Sequence, residues 1–161
     1  MKRSAEKILD VDALRDRIVA ARDAGRTIAL ANGLFDILHV GHLRYLESAG
    51  SEADMLVVGI NSDRSARELK GPTRPIVPEI ERAELVAGFD CVDLVTVFDG
   101  ATVENLLRIC RPDVHCKGTD YTTETVPEAG VARELGIRVA ICGDDKRHSS
   151  RDIISRVKNE S

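Results

Sequence analysis

The sequence predicts an α/β fold: a parallel sheet of about five strands with helices over both faces. Three observations lead there. Short, near-continuous apolar runs at 27–31, 55–61, 94–98, 113–118 and 137–142 alternate with segments of helical period. A strand apolar on both sides belongs to a parallel sheet covered on both faces. The unusual polar clusters NGLFD, NSDRS, FDG, KGTDY and GDDKRHSS each follow the C-terminal end of such a run, where open α/β sheets bind their ligands. A chain of 161 residues, 43% hydrophobic and 31% charged, is enough for one core of its own and too short for two full-sized domains. The expectation is a single Rossmann-like, doubly wound domain over 1–161, with a helix at 10–24 packed on it.

Each element has a local reason. Val11, Leu14, Ile18 and Ala21 recur at helical spacing over 10–24, and Gly25 is a stop. TIALA at 27–31 reads as a buried strand. Leu43, Leu46 and Ala49 restart a helix over 42–50. MLVVGIN is the second strand, and LKGPTRPIVP at 69–78 is expected to be a loop over the site. Residues 79–88 form a helix with Ile80, Ala83, Val86 and Ala87 on one face. LVTVF is the third strand, and 101–110 is a helix through Val103, Leu106 and Leu107. DVHCKG, a helix at 126–135, IRVAIC and a helix from Ser150 to Val157 complete the alternation.

Composition excludes several classes. With 23 basic and 27 acidic side chains the formal charge is −4, against broad nucleic-acid binding. Aromatic residues are 3% with no Trp, so base-stacking platforms are not expected. Cys91, Cys110, Cys116 and Cys142 show no CxxC spacing; three lie in or beside apolar runs, and all read as reduced structural thiols of a cytoplasmic protein. The N-terminus has no apolar core of a secretory signal, and no run approaches a membrane span.

GxxxxGK[ST], GxGxxG and HExxH are all absent. His39-Val40-Gly41-His42 stands instead at a helix start, where backbone N–H groups and the positive end of the dipole favour an anion. Gly41 lets a phosphate approach the backbone, and two imidazoles can donate to it. A metal-ligand pair or a chance HxxH stays open on these four residues alone. Ser149 with Asp152 fits a capping box. Asp36 could cap a turn, Lys70 could be a solvated charge, and Arg82 could pair with Glu79 or Glu84 on a helix surface.

The longer stretch Asn32-Gly33-Leu34-Phe35-Asp36-Ile37-Leu38-His39-Val40-Gly41-His42 resembles the signature of the cytidylyltransferase-like nucleotidylyltransferases. Within them the chain is most similar to the adenylyltransferase domain type of ADP-heptose synthases. Asn61-Ser62-Asp63, Leu69-Lys70-Gly71 with Arg74-Pro75, Arg82, Lys117-Gly118-Thr119-Asp120-Tyr121 and Ser149-Ser150-Arg151-Asp152-Ile153-Ile154 carry the resemblance over about residues 8–157. Leu34, where that subgroup usually has Cys, and His148, where a small or apolar residue is more usual, depart from it. The resemblance implies transfer of AMP from ATP to a sugar phosphate, heptose 1-phosphate, with release of pyrophosphate. A cytidylyltransferase for glycerol 3-phosphate or an aminoalcohol phosphate, an FAD-synthetase-like enzyme and a non-catalytic nucleotide sensor are the alternatives.

It further implies His39, His42 and Lys70 as catalytic residues. Nucleotide contacts fall to Asn32, Gly33, Phe35, Asp36, Gly41, Lys117, Gly118, Asp120, Ser149 and Ser150, and substrate phosphate to Arg74 and Arg82. Mg²⁺ is expected to bridge substrate phosphates, with Asp36 an indirect ligand and no metal cage of protein side chains. The expected partners are ATP, a small phosphorylated acceptor and a second copy of the chain, with no nucleic acid and no membrane.

Overall fold

A computed structural model of the chain describes residues 3–145 and 147–161. Five strands, β1 (Ile28–Gly33), β2 (Met55–Asn61), β3 (Leu94–Phe98), β4 (Val114–Gly118) and β5 (Arg138–Cys142), form one sheet. Its order is β3-β2-β1-β4-β5, and every pairing is parallel. The helices are α1 (Ser4–Lys7), α2 (Val11–Asp23), α3 (Val40–Gly50), α4 (Asp63–Lys70), α5 (Glu79–Ala87), α6 (Glu104–Cys110), α7 (Ala129–Leu135) and α8 (Ser150–Asn159).

Alternate strand residues face two apolar clusters. Ala29, Ala31, Val58 and Cys116 meet Leu46 and Ala49 of α3 and Ala83, Val86 and Ala87 of α5. Ile28, Leu30, Val57 and Leu94 meet Leu14 and Ile18 of α2, Leu106 and Leu107 of α6, and Val131 and Ala132 of α7. The chain winds outward from β1 to β3 under one helix layer, then crosses to β4 and β5 under the other. The helices therefore diverge at the C-terminal ends of β1 and β4 and leave the crevice of a topological switch point.

Aspartates hold the opposite end of the sheet. Asp54, Asp93 and Asp113 each stand just before a strand and accept an N–H from a neighbouring one: Thr27 (2.8 Å), Leu56 (2.8 Å) and Ile28 (2.7 Å). These bonds satisfy backbone donors at the sheet margin that would otherwise lack partners. No helix among the described residues is long and apolar enough to cross a membrane.

The structure departs from the sequence expectation at several elements, and α6 and α7 each start three residues later than expected. β1 runs two residues past the expected end, and α3 starts two residues early. Residues 63–70 are a helix: Ser62 caps it at the Ser65 N–H, and Gly71, at φ 102°, ends it. DRSARELK has only Ala66 and Leu69 as apolar residues, so no period marks it, and Lys70 is its last residue rather than part of a loop. The apolar stripe of α5 begins at Ala83, because Ile80 in the first turn is 62% exposed.

Gly59 allows α6 to seat on β2, since a Cβ there would stand 2.8 Å from Leu106 Cδ2 and 3.2 Å from the Phe98 ring. Gly59→Val is expected to lower stability by roughly 1–3 kcal/mol through overpacking. The urea unfolding midpoint of the variant against wild type measures it.

Candidate active site

The segment from β1 to α3 arranges the two histidines. His39 is the N-cap of α3, and its Nδ1 accepts the Gly41 N–H at 3.1 Å. His42 reaches back, and its Nδ1 accepts the His39 N–H at 3.2 Å. Each Nδ1 is thereby an acceptor, so in the neutral rings the proton lies on Nε2 and both imidazoles keep an Nε2–H donor. The rings lie 4.0 Å apart between centroids. A Cβ on Gly41 would come within 2.9 Å of the His39 ring, so a side chain there would displace the imidazole that caps the helix. Phe35, buried at a left-handed φ of 51°, sets its ring 5.4 Å from His42 and supports it. Tyr45 donates to the Cys116 carbonyl at 2.7 Å and ties α3 to β4. Burial holds the Tyr45 phenol well above its ordinary pKa, so it keeps the proton it donates.

A second helix start closes the site. Ser149 accepts the Asp152 N–H at 3.1 Å, one half of the expected capping box, and Ser150 donates to the Ile37 carbonyl at 2.8 Å. His148 places its ring 6.2 Å from that of His39. Arg44 pairs with Asp144 at 2.6 Å, and the Thr119 hydroxyl donates to the Asp144 carbonyl at 2.9 Å. These links join α3, the turn after β4 and the loop after β5 around a cavity of about 660 Å³. The first turns of α3 and α8 both line it, so two positive dipole ends serve one space.

The cavity gathers His39, His42, Gly41, Phe35, Asp36, Lys70, Arg74, Gly118, Asp120, Ser149 and Ser150, all expected there. It also gathers Tyr45, Thr119, Gly143, Arg147, His148 and Arg151, which the sequence reading did not assign to the site. Their one sequence signal is position, since most fall in the polar clusters after the fourth and fifth strands. Lys146 of the GDDKRHSS cluster lies outside the described residues.

Five expected site residues require correction. Arg82 has no exposed surface. It donates to the carbonyls of Leu34 (2.6 Å) and Val77 (2.9 Å) and to Asp63 (2.9 Å), so it binds protein rather than a substrate phosphate. Asp36 is likewise committed. Its carboxylate accepts the N–H groups of Ile76 and Val77, both at 2.9 Å, and pairs with Arg74 at 2.5 Å. Burial pushes the Asp36 carboxyl up, but the Val77 and Ile76 N–H groups and the Arg74 guanidinium outweigh it and leave the pKa below the ordinary value. Asp36 thus anchors the 71–78 loop, and its oxygens are already used where an indirect metal role would need them. Asn32 and Gly33 end β1 behind the cavity wall, where the Asn32 carboxamide meets His115 Nε2 at 3.0 Å. The Lys117 ammonium is buried with Glu128, 3.7 Å away, rather than directed into the cavity.

Among the described residues no three His, Cys, Asp or Glu side chains converge to hold a metal ion. An ion carried into this site on phosphate oxygens would neutralise their charge.

The fold and this constellation define a nucleotidyltransferase-type site. The family model for cytidylyltransferase-like proteins matches residues 30–156, and the chain belongs to that family. It is 44% identical over 146 residues to the bifunctional protein HldE of Syntrophotalea carbinolica, covering 91% of this chain and 30% of that one. Against the bifunctional protein HldE of Geotalea uraniireducens it is 42% identical over 158 residues, covering 98% of this chain and 32% of that one. The chain thus spans about a third of the length of these relatives. The crystal structure of the lipopolysaccharide core biosynthesis protein from Thermoplasma volcanium superposes with a TM-score of 0.63 at 31% identity. That match covers 75% of this chain and all of the other.

His115 lies behind the site with no exposed surface. Burial, aided by the Lys117 charge, lowers its pKa from 6.5 to about 3, so it stays neutral in the folded state. Above about pH 6.5 the unfolded chain is neutral there too, and the group costs nothing. As pH falls from 6.5 toward 3 the unfolded state alone takes up the proton, and stability drops. His115→Gln is expected to flatten the loss of stability across this window, read as unfolding midpoints from pH 7 to pH 4.

Proposed function

We propose that the protein is an adenylyltransferase that joins AMP from ATP to heptose 1-phosphate and releases pyrophosphate, forming ADP-heptose. One observation carries the transfer chemistry: two imidazoles held as Nε2–H donors at a helix start, facing the start of a second helix across one cavity. The choice of ATP and heptose rests on the motifs shared with ADP-heptose synthases and on the relatives above, of which this chain matches about a third.

An oxygen of the acceptor phosphate attacks the α-phosphorus of ATP. The bond from that phosphorus to the oxygen bridging it to the β-phosphate breaks, and pyrophosphate carries away the electron pair. The nucleophile is already an anion, so no general base is required. Catalysis then rests on placement and on neutralising charge at the reacting phosphate. His39 and His42 donate there. The α8 start, with Ser149 and Ser150, takes the far end of the triphosphate, and His148 adds a third imidazole beside it. Lys70 and Arg74 enter from the β2–β3 side and serve the acceptor. A divalent ion of the Mg²⁺ kind would enter bound to the triphosphate.

ATP and CTP tested against heptose 1-phosphate, glycerol 3-phosphate and aminoalcohol phosphates, read by pyrophosphate release, test the reading. Turnover with ATP and heptose 1-phosphate alone is expected. CTP with glycerol 3-phosphate as the preferred pair would overturn it.

Two variants separate chemistry from folding. His42→Ala should lower kcat by about 10²-fold or more, the scale of deleting one preorganised donor to a developing charge. His39→Asn keeps an N-cap acceptor for the Gly41 N–H but has no imidazole, so it should melt near wild type and still lose kcat by about 10²-fold. Melting temperature, nucleotide Kd and kcat measured together decide; loss of kcat in proportion to the unfolded fraction would reduce these histidines to loop supports.

A further inference from the structure

Behind the cavity wall lies a buried ion pair that the reaction as described does not use. Glu128, 2% exposed, is the N-cap residue of α7. Its Oε1 accepts the N–H of Val103 at the start of α6 at 3.3 Å, and its Oε2 has no hydrogen-bond partner. That oxygen stands 3.7 Å from the Lys117 ammonium, an ion pair longer than a hydrogen bond. Burial pulls the Lys117 pKa down while Glu128 opposes the shift. The same ammonium lies 4.7 Å from the centroid of the Tyr121 ring.

Lys117 and Tyr121 bracket a turn, closed by the Tyr121 N–H donating to the Gly118 carbonyl at 3.2 Å. The residues between them, Gly118, Thr119 and Asp120, line the cavity. Glu128 therefore grips, through Lys117, both ends of the turn that forms one wall of the site. Around the ammonium stand Glu128 from the α7 start, His115 from the same strand and Tyr121 from the turn. His115 is neutral, so Glu128 is the one anion among these three.

We propose that Glu128 is a positioning residue for the nucleotide, acting through Lys117 and Tyr121 on the Gly118–Asp120 wall. The inference rests on ATP being the nucleotide of this cavity. The wall belongs to the β4–β5 side of the switch point, with the phosphate-facing start of α8, whereas the Lys70–Arg74 arm comes from the β2–β3 side. Gly118 leaves open space where a Cβ would stand, as close approach of a flat base requires.

The test measures ATP Kd by calorimetry, KM for ATP and for heptose 1-phosphate, kcat and melting temperature for wild type, Glu128→Gln, Lys117→Met, Lys117→Arg and the double variant Lys117→Met/Glu128→Leu. Glu128→Gln is expected to raise ATP Kd and KM about tenfold, with kcat and acceptor KM within about threefold. Lys117→Arg should retain most ATP affinity, and the double variant should be no weaker than Lys117→Met, because the two residues act as one unit. Unchanged ATP Kd in Glu128→Gln, equal loss for both substrates in step with a lower melting temperature, or additive single effects would each overturn the inference. Turnover of another acceptor in place of heptose 1-phosphate would overturn the acceptor assignment alone, since ATP Kd still reads the wall. Failure of wild type to bind ATP would overturn both.

Discussion

His39 and His42 each lend Nδ1 to the other's stretch of backbone, and the site depends on that exchange. It supplies acceptors for two N–H groups at the start of α3 that have no partner within the helix. It also occupies Nδ1 of each ring as an acceptor, so a neutral imidazole there carries its proton on Nε2. Structure and chemistry share the same hydrogen bonds. This is why Gly41 must lack a side chain, and why Phe35 accepts an unfavourable backbone angle to fill the space beneath His42.

The second constraint is the handling of buried charge. Arg82 and Asp36 are both sealed from water, and each satisfies its charge on backbone groups of the loops it joins. Asp36 brings the loop after α4 to the end of β1, and Arg82 links Leu34, Val77 and the start of α4 to α5. A buried ion missing these partners would be costly, so the loops stay where the partners hold them. Lys70 and Arg74 reach the cavity from that scaffold. On the other side of the switch point Lys117 and Glu128 do similar work with a looser fit. Both sides of the crevice are thus supported by ions that need not touch a ligand.

The fold was largely legible. The five strands, the parallel sheet and the end of the sheet where the cavity opens follow from apolar runs and from polar residues grouped at one end of each run. Helix α4 was not legible, because Ser65 and Ala66, its buried residues, are too small to write an apolar period. Ile80 misled for the opposite reason: it continues the period of α5 but sits in a first turn that the core leaves exposed. Among site residues, His39, Gly41, His42, Ser149 and Ser150 could be read from local sequence, because helix starts are local structures.

Sequence by itself determined the elements, the paired histidines at a helix start and the family motifs that bring AMP transfer into consideration. Tertiary structure alone decided which charged residues face the cavity and which are spent inside the protein. A motif marks Arg82, Asp36 and Lys117 equally with Lys70, since spacing along the chain says nothing about partners from distant segments. Arg82 meets Leu34 and Asp63, and Glu128 meets Val103 and Lys117, only after the sheet has assembled. Burial and partner are properties of the packed molecule, and they divide groups that bind protein from groups that line the cavity.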